Sequence, residues 1–498
     1  MSKQELDRAR ALIDTGDVEA ALALTAPLAG RPDAELRALA LHAAALKGAK
    51  RREEALAFDR QAVARFPTSG VAWHNLGATL GDLGRGAESA AAIEKAFALG
   101  VDSPLSWGVL ARARLATGEL DAAEEAYRQA LRRAPGAEAT AVEYANVLWM
   151  RHADMDLAMA AIDRAFHGGG NAAPLLLAKA KLLDAAGRPA EAADLLARAA
   201  QRLPDDAAIL MAASQAALDA GRLHEAERLV LAADTARPNN PGVMNQLAIV
   251  YLALGRPDVA LAKARFGLSI QPENQSLWGW AATAARAVGD PLHAELYDYD
   301  AMVGVYELAA PDGWPSREAY LADLARSVDR LHHFAEHPTN QSLRHGSQTL
   351  HLLTGSDDPA IAAFFKALDA PIREHMAKLG TGRDPLRRRN TGDYRIQGAW
   401  SVRLRPGGFH KDHFHPEGWL SSAFYVETPA RAVDGGDRQG WIRFGQPPFR
   451  TDPALPPERW VRPEPGRLVL FPSYMWHGTE PFTTDERRMT IAFDVVPA

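Results

Sequence analysis

From the N-terminus to about residue 288, apolar positions recur with helical periodicity on a background rich in alanine and leucine. The pattern also repeats at long range. Gly84 and Gly118 stand 34 residues apart, as do Gly187, Gly221 and Gly255, and Pro204, Pro238 and Pro272 keep the same step. Small residues fall where two helices must approach closely: Ala123, Ala192, Ala226 and Ala260, and later in each unit Ala96, Ala130, Ala199 and Ala233. The stretch 137–171 departs from the pattern, with "HGGGN" at 167–171 in place of the terminal proline, which predicts a bent junction or a bulge. "WGWAATAARAVGD" (278–290) reads as a closing helix. Helices are expected near 316–330 and 358–379. After about 390 the period shortens to the alternation of strands. Candidate strands are "GAWSVRLR" (398–405), "LSSAFYVE" (420–427), "GWIRFG" (440–445), "GRLVLFP" (466–472) and "RMTIAFDV" (488–495).

The first half resembles the tetratricopeptide repeat, whose order of Trp, Leu-Gly, a small residue and Pro is nearly legible in "WHNLGATLGDLGRGAESAAAIEKAFA" from Trp73 and looser from Trp107. A repeat of this period is a helical pair that cannot bury its apolar face alone, so stacked units share one core and form a superhelix. About seven units are expected, the first degenerate. Almost every Leu, Ala and Trp here reads as core. The resemblance implies that the groove of the superhelix takes a protein or peptide. The whole chain is thus expected to be α + β with two domains: an all-α repeat superhelix over 1–288, a helical linker over 289–325, and a β-sandwich or barrel with packing helices over 326–498.

Composition narrows the chemistry. With 498 residues, 47% of them apolar and 24% charged, the chain can bury several hundred residues. The absence of a long apolar run and the polar, acidic start predict a cytoplasmic protein without membrane spans. A net charge of −6 gives no footprint for nucleic acid. Zero cysteines exclude disulfides and thiolate ligands, so a metal would be held by nitrogen and oxygen. Eleven of the sixteen histidines fall at or beyond His293, and "GFHKDHFHPEGWLS" gathers His410, Asp412, His413 and His415. Alternation along a regular strand would turn His410 with Asp412 to one face and His413 with His415 to the other. His477, at the end of the apolar run "GRLVLFPSYMWH", can close a coordination sphere from a distance.

The segments "HPTNQSLRHGSQT" (337–349), "HFHPEGWLSSAFYVE" (413–427) and "FPSYMWHGTEPFTTDERRMTIAFD" (471–494) together resemble the 2-oxoglutarate and iron(II)-dependent oxygenases, and more closely a bacterial and phage subfamily with a His-x-His signature. The resemblance covers about 170 residues. It implies a double-stranded β-helix, or jelly roll, with iron(II) on His413, His415 and His477 and 2-oxoglutarate as cosubstrate. Most of the wider superfamily has His-x-Asp, leaving a face open for cosubstrate and oxygen. "HKD" matches that literally, whereas the flanking Pro-x-x-Trp-Leu-Ser favours "HFH". The resemblance also implies an arginine for the far carboxylate of 2-oxoglutarate. Alternation selects Arg488 over Arg487, because Met489, Ile491 and Phe493 make the bulky face and Arg488, Thr490 and Ala492 the small, polar one. The same alternation groups Ser421, Ala423 and Tyr425, and the resemblance gives Tyr425 a hydroxyl contact to the same carboxylate. The implied activity is hydroxylation of a protein or peptide side chain presented by the repeats. Two alternatives stay open: a three-histidine zinc enzyme, and a repeat scaffold whose barrel is non-catalytic.

Overall fold

The computed structural model describes residues 3–339, 341–350, 353–434 and 436–498. They divide into two compact units, 1–144 with 163–170, and 145–162 with 171–498. In both, helices succeed one another in hairpins, from Lys3–Asp14 to Gln275–Val288. The 34-residue step has a backbone cause. Gly84, Gly118, Gly187, Gly221 and Gly255 end the first helix of each pair with φ between 69° and 77°, where a side chain would be strained, and Gly289 continues the series at φ 72°. Asp206, Asn240 and Asn274 keep the same step and cap the next helix, accepting from backbone N–H groups one turn in. All eight alanines singled out by spacing are buried. Residues 137–171 hold two helices, Glu138–His152 and Met155–His167. The glycines around them serve a close approach: a Cβ on Gly136 would lie 2.7 Å from the Gly168 carbonyl oxygen.

In the second unit the chain past residue 288 forms β1 (Gly304–Glu307), β2 (Leu343–Gln348), β3 (Tyr394–His410), β4 (Leu420–Glu427), β5 (Ile442–Phe444), β6 (Arg459–Val461), β7 (Arg467–Pro472), β8 (His477–Thr479) and β9 (Arg488–Pro497). Six of them make an antiparallel sheet in the order β1-β7-β4-β9-β3-β2, and β6-β5-β8 make a second. This is the jelly-roll domain, with Arg317–Asp329, Pro359–Ala367 and Asp369–Leu379 as packing helices. The segment expected to be a helical linker contributes β1 to the large sheet through its pairing with β7. No helix among the described residues is long and apolar enough to cross a membrane.

One core runs through the later repeats and the barrel. Trp280, 4% exposed on Gln275–Val288, packs against Trp476 at 4.7 Å, Phe449 at 5.7 Å and Phe414 at 6.2 Å between ring centroids. Trp476 Nε1 donates to Thr283 Oγ1 at 2.8 Å, and Arg286 binds Glu458 and the Gly445 carbonyl. Gly279 admits this approach, since a Cβ there would meet the Tyr474 carbonyl at 3.0 Å and the Phe414 ring at 3.1 Å.

Two buried histidines predict a loss of stability in acid. His332 bridges Ser347 Oγ and Ser401 Oγ across β2 and β3, and burial pushes its pKa down to about 3. Burial likewise lowers His375, beside Tyr306, to about 4. Both stay neutral in the fold, whereas in the unfolded chain each takes a proton near 6.5. The unfolded state therefore binds the extra protons as pH falls, and stability present above 6.5 is lost below it. Urea unfolding should show a loss of about 2 kcal/mol per histidine between pH 7 and 5. His332→Gln should flatten that slope.

Candidate metal centre

His413 leaves the loop after β3 and pairs with His477, the first residue of β8, by reciprocal backbone hydrogen bonds of 2.9 Å. Residues directly opposite in an antiparallel bridge present their side chains together. Two residues on, His415 N donates to the Ser473 carbonyl at 2.8 Å, which holds the third imidazole beside the other two. One nitrogen from each of His413, His415 and His477 lies within 4.8 Å of the others.

The outward nitrogens fix the tautomers. Nδ1 of His413 faces the Lys411 carbonyl at 2.8 Å and Nδ1 of His477 the Met475 carbonyl at 3.0 Å. Nδ1 of His415 faces Asp494 Oδ1 at 2.6 Å. A carbonyl or carboxylate can only accept, so each Nδ1 carries a hydrogen, and in the neutral ring Nε2 keeps its lone pair. An acceptor behind Nδ1 orients the ring of a metal-binding histidine in this way. Burial drives the His413 pKa down to about 3 and His477 well below its ordinary value, so both rings are neutral. Burial opposes charge on His415 too, but the Asp494 carboxylate outweighs it and raises the pKa.

The other pair in the motif does not form a second site. Asp412 is buried and held by Arg443 through Nε–Oδ1 at 2.9 Å and Nη2–Oδ2 at 2.7 Å, with Gln446 on the same carboxylate. Its seat depends on Gly478, where a Cβ would lie 2.5 Å from Asp412 Oδ1. The expected opposition of faces does not hold for His410. β3 ends there, the chain turns, and His410 lines the same cavity as the three imidazoles, its Nδ1 3.1 Å from Ser342 Oγ. That hydroxyl also stands 3.2 Å from His413 Nε2, so it can serve either ring.

Arg488 opens β9, pairs with Leu404 and is 2% exposed. It lines the cavity with Thr490 and Ala492, while Met489, Ile491 and Phe493 are buried on the opposite face. Its Nε donates to the Gly440 carbonyl, and no carboxylate among the described residues pairs with it. Burial lowers its pKa, against the pull of Tyr425. The guanidinium lies 5.2 Å from the Tyr425 ring, and Tyr425 Oη is buried without a hydrogen-bond partner. Arg487 turns outward to Asp329 and Glu427. Ser421 is set apart from this end: its Oγ contacts Asp494 Oδ1 at 2.7 Å and His415 Nδ1 at 3.1 Å, behind the metal-facing side.

Asp494 was not among the residues picked from sequence, although a signal existed. It continues the face Arg488, Thr490, Ala492 by one more step of two along the quoted motif. Of the segment 337–349, Gln341, Ser342 and Gln348 line the cavity; Asn340 lies outside the described residues. A wider cleft of about 550 Å³ adjoins the histidines, lined in part by Trp400, Lys411, Phe414, Glu417 and Asp184. Asp184 belongs to the repeat helix Ala172–Ala185, and its carboxylate meets Arg344 at 3.2 Å and Lys411 at 3.7 Å.

Residues 398–494 match the family described as Putative 2OG-Fe(II) oxygenase, and residues 74–138 and 183–243 match tetratricopeptide repeat families. The chain is thus a fusion of tetratricopeptide repeats with a C-terminal domain of that oxygenase kind, and the family implies iron(II) and 2-oxoglutarate. No curated protein matches the sequence. Similar solved structures include the APC/C hetero-tetramer Cut9-Hcn1, at 19% identity and TM-score 0.33 over 56% of this chain and 55% of that one. A tetratricopeptide repeat protein from Parabacteroides merdae ATCC 43184 gives 14% and 0.34 over 47% and 92%, and the MamA RS-1 ArsTM double mutant 16% and 0.29 over 34% and 93%. The chain spans about half the length of the first of these.

Proposed function

We propose that the protein is an iron(II)- and 2-oxoglutarate-dependent dioxygenase that hydroxylates a side chain of a protein or peptide held by its repeats. The observation that carries the reading is Arg488, a buried cation that no carboxylate among the described residues pairs with, lining one cavity with the imidazoles of His413, His415 and His477. Burying a guanidinium with a backbone carbonyl as its acceptor and no carboxylate among the described residues is costly, so the site suits an anion. The orphaned Tyr425 hydroxyl adds a donor at the same place. A zinc hydrolase would have no use for this end of the cavity.

His413, His415 and His477 would hold the metal and Arg488 with Tyr425 the distal carboxylate of the cosubstrate, with Thr490 and Ala492 leaving the space between. When bound, iron(II) and 2-oxoglutarate supply the oxidising power: dioxygen gives one oxygen atom to a substrate C–H bond and one to succinate, with loss of carbon dioxide. The protein's own work is placement. Backbone bonds to His477 and Ser473 fix the loop that carries His413 and His415, and the Lys411 and Met475 carbonyls fix two tautomers. Asp184 and Phe414 line the approach, so a substrate residue entering the cleft touches a repeat helix and a barrel loop together. That supports substrate recognition by the repeats.

The test is anaerobic reconstitution with iron(II), followed by measurement of succinate from 2-oxoglutarate in air. Uncoupled turnover is expected even without the substrate, and zinc alone with no succinate after reconstitution overturns the reading. In the same assay Arg488→Ala should raise the 2-oxoglutarate requirement roughly 10- to 100-fold, the 1.5–3 kcal/mol typical of a hydrogen bond to a charged group. Arg487→Ala should change it little.

A further inference from the structure

Of the three histidines, His415 alone has a carboxylate behind it; His413 and His477 face backbone carbonyls. That carboxylate, Asp494, accepts the His415 Nδ1–H at 2.6 Å and the Ser421 hydroxyl at 2.7 Å, and no Lys or Arg among the described residues pairs with it. Its position is fixed by the sheet: Asp494 on β9 stands opposite Ser421 on β4, and Ser421 Oγ is in turn 2.9 Å from Ser473 Oγ. Gly418 leaves room for this cluster, since a Cβ there would lie 2.3 Å from Ser473 Oγ and 3.5 Å from the Asp494 carboxyl carbon. The arrangement therefore sets a carboxylate with no Lys or Arg partner among the described residues one imidazole away from where the metal ligands converge.

Resting on the three-histidine reading above, we infer that Asp494 is a positioning residue that supplies, through His415, the negative charge which the usual two-histidine, one-carboxylate centre carries as a direct ligand. Three neutral imidazoles alone leave a dication uncompensated by the protein. A carboxylate on the far nitrogen makes the ring a stronger donor and holds its orientation. The acid has moved outward by the length of one imidazole, and the bond to Nδ1–H couples it to the metal.

The test uses the full chain, loaded anaerobically with iron(II) or with cobalt(II) as a spectroscopic stand-in. Asp494→Asn keeps an oxygen facing His415 and removes the charge. It is expected to weaken metal affinity, read by chelator competition, roughly 10- to 100-fold. It should also raise the potential of the bound iron and change the cobalt visible spectrum. Ser421→Ala removes a competing donor and keeps the charge, so its affinity should equal or exceed that of the wild type. Wild-type affinity and potential in Asp494→Asn, or a loss of about tenfold in Ser421→Ala, would overturn the inference. If His413→Ala and His477→Ala lose the metal while Asp494→Asn binds as the wild type does, only this inference fails. If those histidine variants keep the metal, the three-histidine reading falls, and this one with it.

Discussion

Replacing His413, His415 or His477 by alanine should bring the iron recovered after anaerobic reconstitution to background, whereas His410→Ala and Asp412→Asn should retain it. The distinction rests on what each side chain already does. The three histidines each commit Nδ1 to an acceptor and leave Nε2, and their ligand atoms lie within 4.8 Å of one another. With one imidazole gone, the remaining two hold the metal at fewer points than the three protein ligands usual for a catalytic site, so a large loss is expected for each. His410 borders the same cavity but bonds Ser342 through Nδ1 and stands outside the group of three. Asp412 is consumed by Arg443, itself shared with Glu480, so its carboxylate is a poor candidate for a metal ligand. Asparagine is the informative substitution there, because alanine would strand Arg443 and confound binding with stability. Elemental analysis of the five variants decides the matter. Iron lost from His410→Ala or Asp412→Asn but kept by His413→Ala or His415→Ala would move the centre to the "HKD" pair.

The repeat was legible because its marks are local. A left-handed glycine, a capping Asp or Asn and a small residue at a helix crossing each answer to neighbours within one 34-residue unit. The long strands were legible for a related reason: Leu420–Glu427 and Arg488–Pro497 are long enough for alternation to show, and the face of Arg488 followed from it. Gly304–Glu307, Arg459–Val461 and His477–Thr479 have three or four residues each, too few for a period. Alternation of faces also breaks down wherever a strand ends unannounced. Read across the break after His410, it set that residue apart from His413 when both border one cavity. Contacts between distant segments left no mark at all, and the bond from Trp476 to Thr283 spans 193 residues.

That bond belongs to the second large effect. Trp280→Ala in the full chain should destabilise the second unit by about 3–5 kcal/mol, the usual cost of deleting a buried tryptophan. It should also weaken iron binding, although Trp280 is not among the ligands. The reason is sequence adjacency on the far side of the contact. Trp280 packs on Phe414, which lies between His413 and His415, and on Trp476, which precedes His477. The indole therefore presses on both segments that deliver imidazoles, and the cavity left by alanine lets both relax. Thr283→Val is the graded companion. It nearly preserves volume and removes the acceptor for Trp476 Nε1 together with the threonine's own bond to the Gly279 carbonyl, leaving a buried donor unsatisfied at a cost of about 1–3 kcal/mol. The two variants also bear on how the chain can be divided. If the last repeat helix were only a tether, both would change substrate affinity and leave iron affinity and urea midpoints alone. If it is a wall of the oxygenase core, a fragment beginning at 289 lacks Trp280, Thr283 and Arg286 and should neither unfold cooperatively nor hold iron. Urea unfolding and chelator competition on Trp280→Ala, measured before any fragment is made, separate these outcomes: an unchanged midpoint with unchanged iron affinity would show that the repeats end functionally where their helices end.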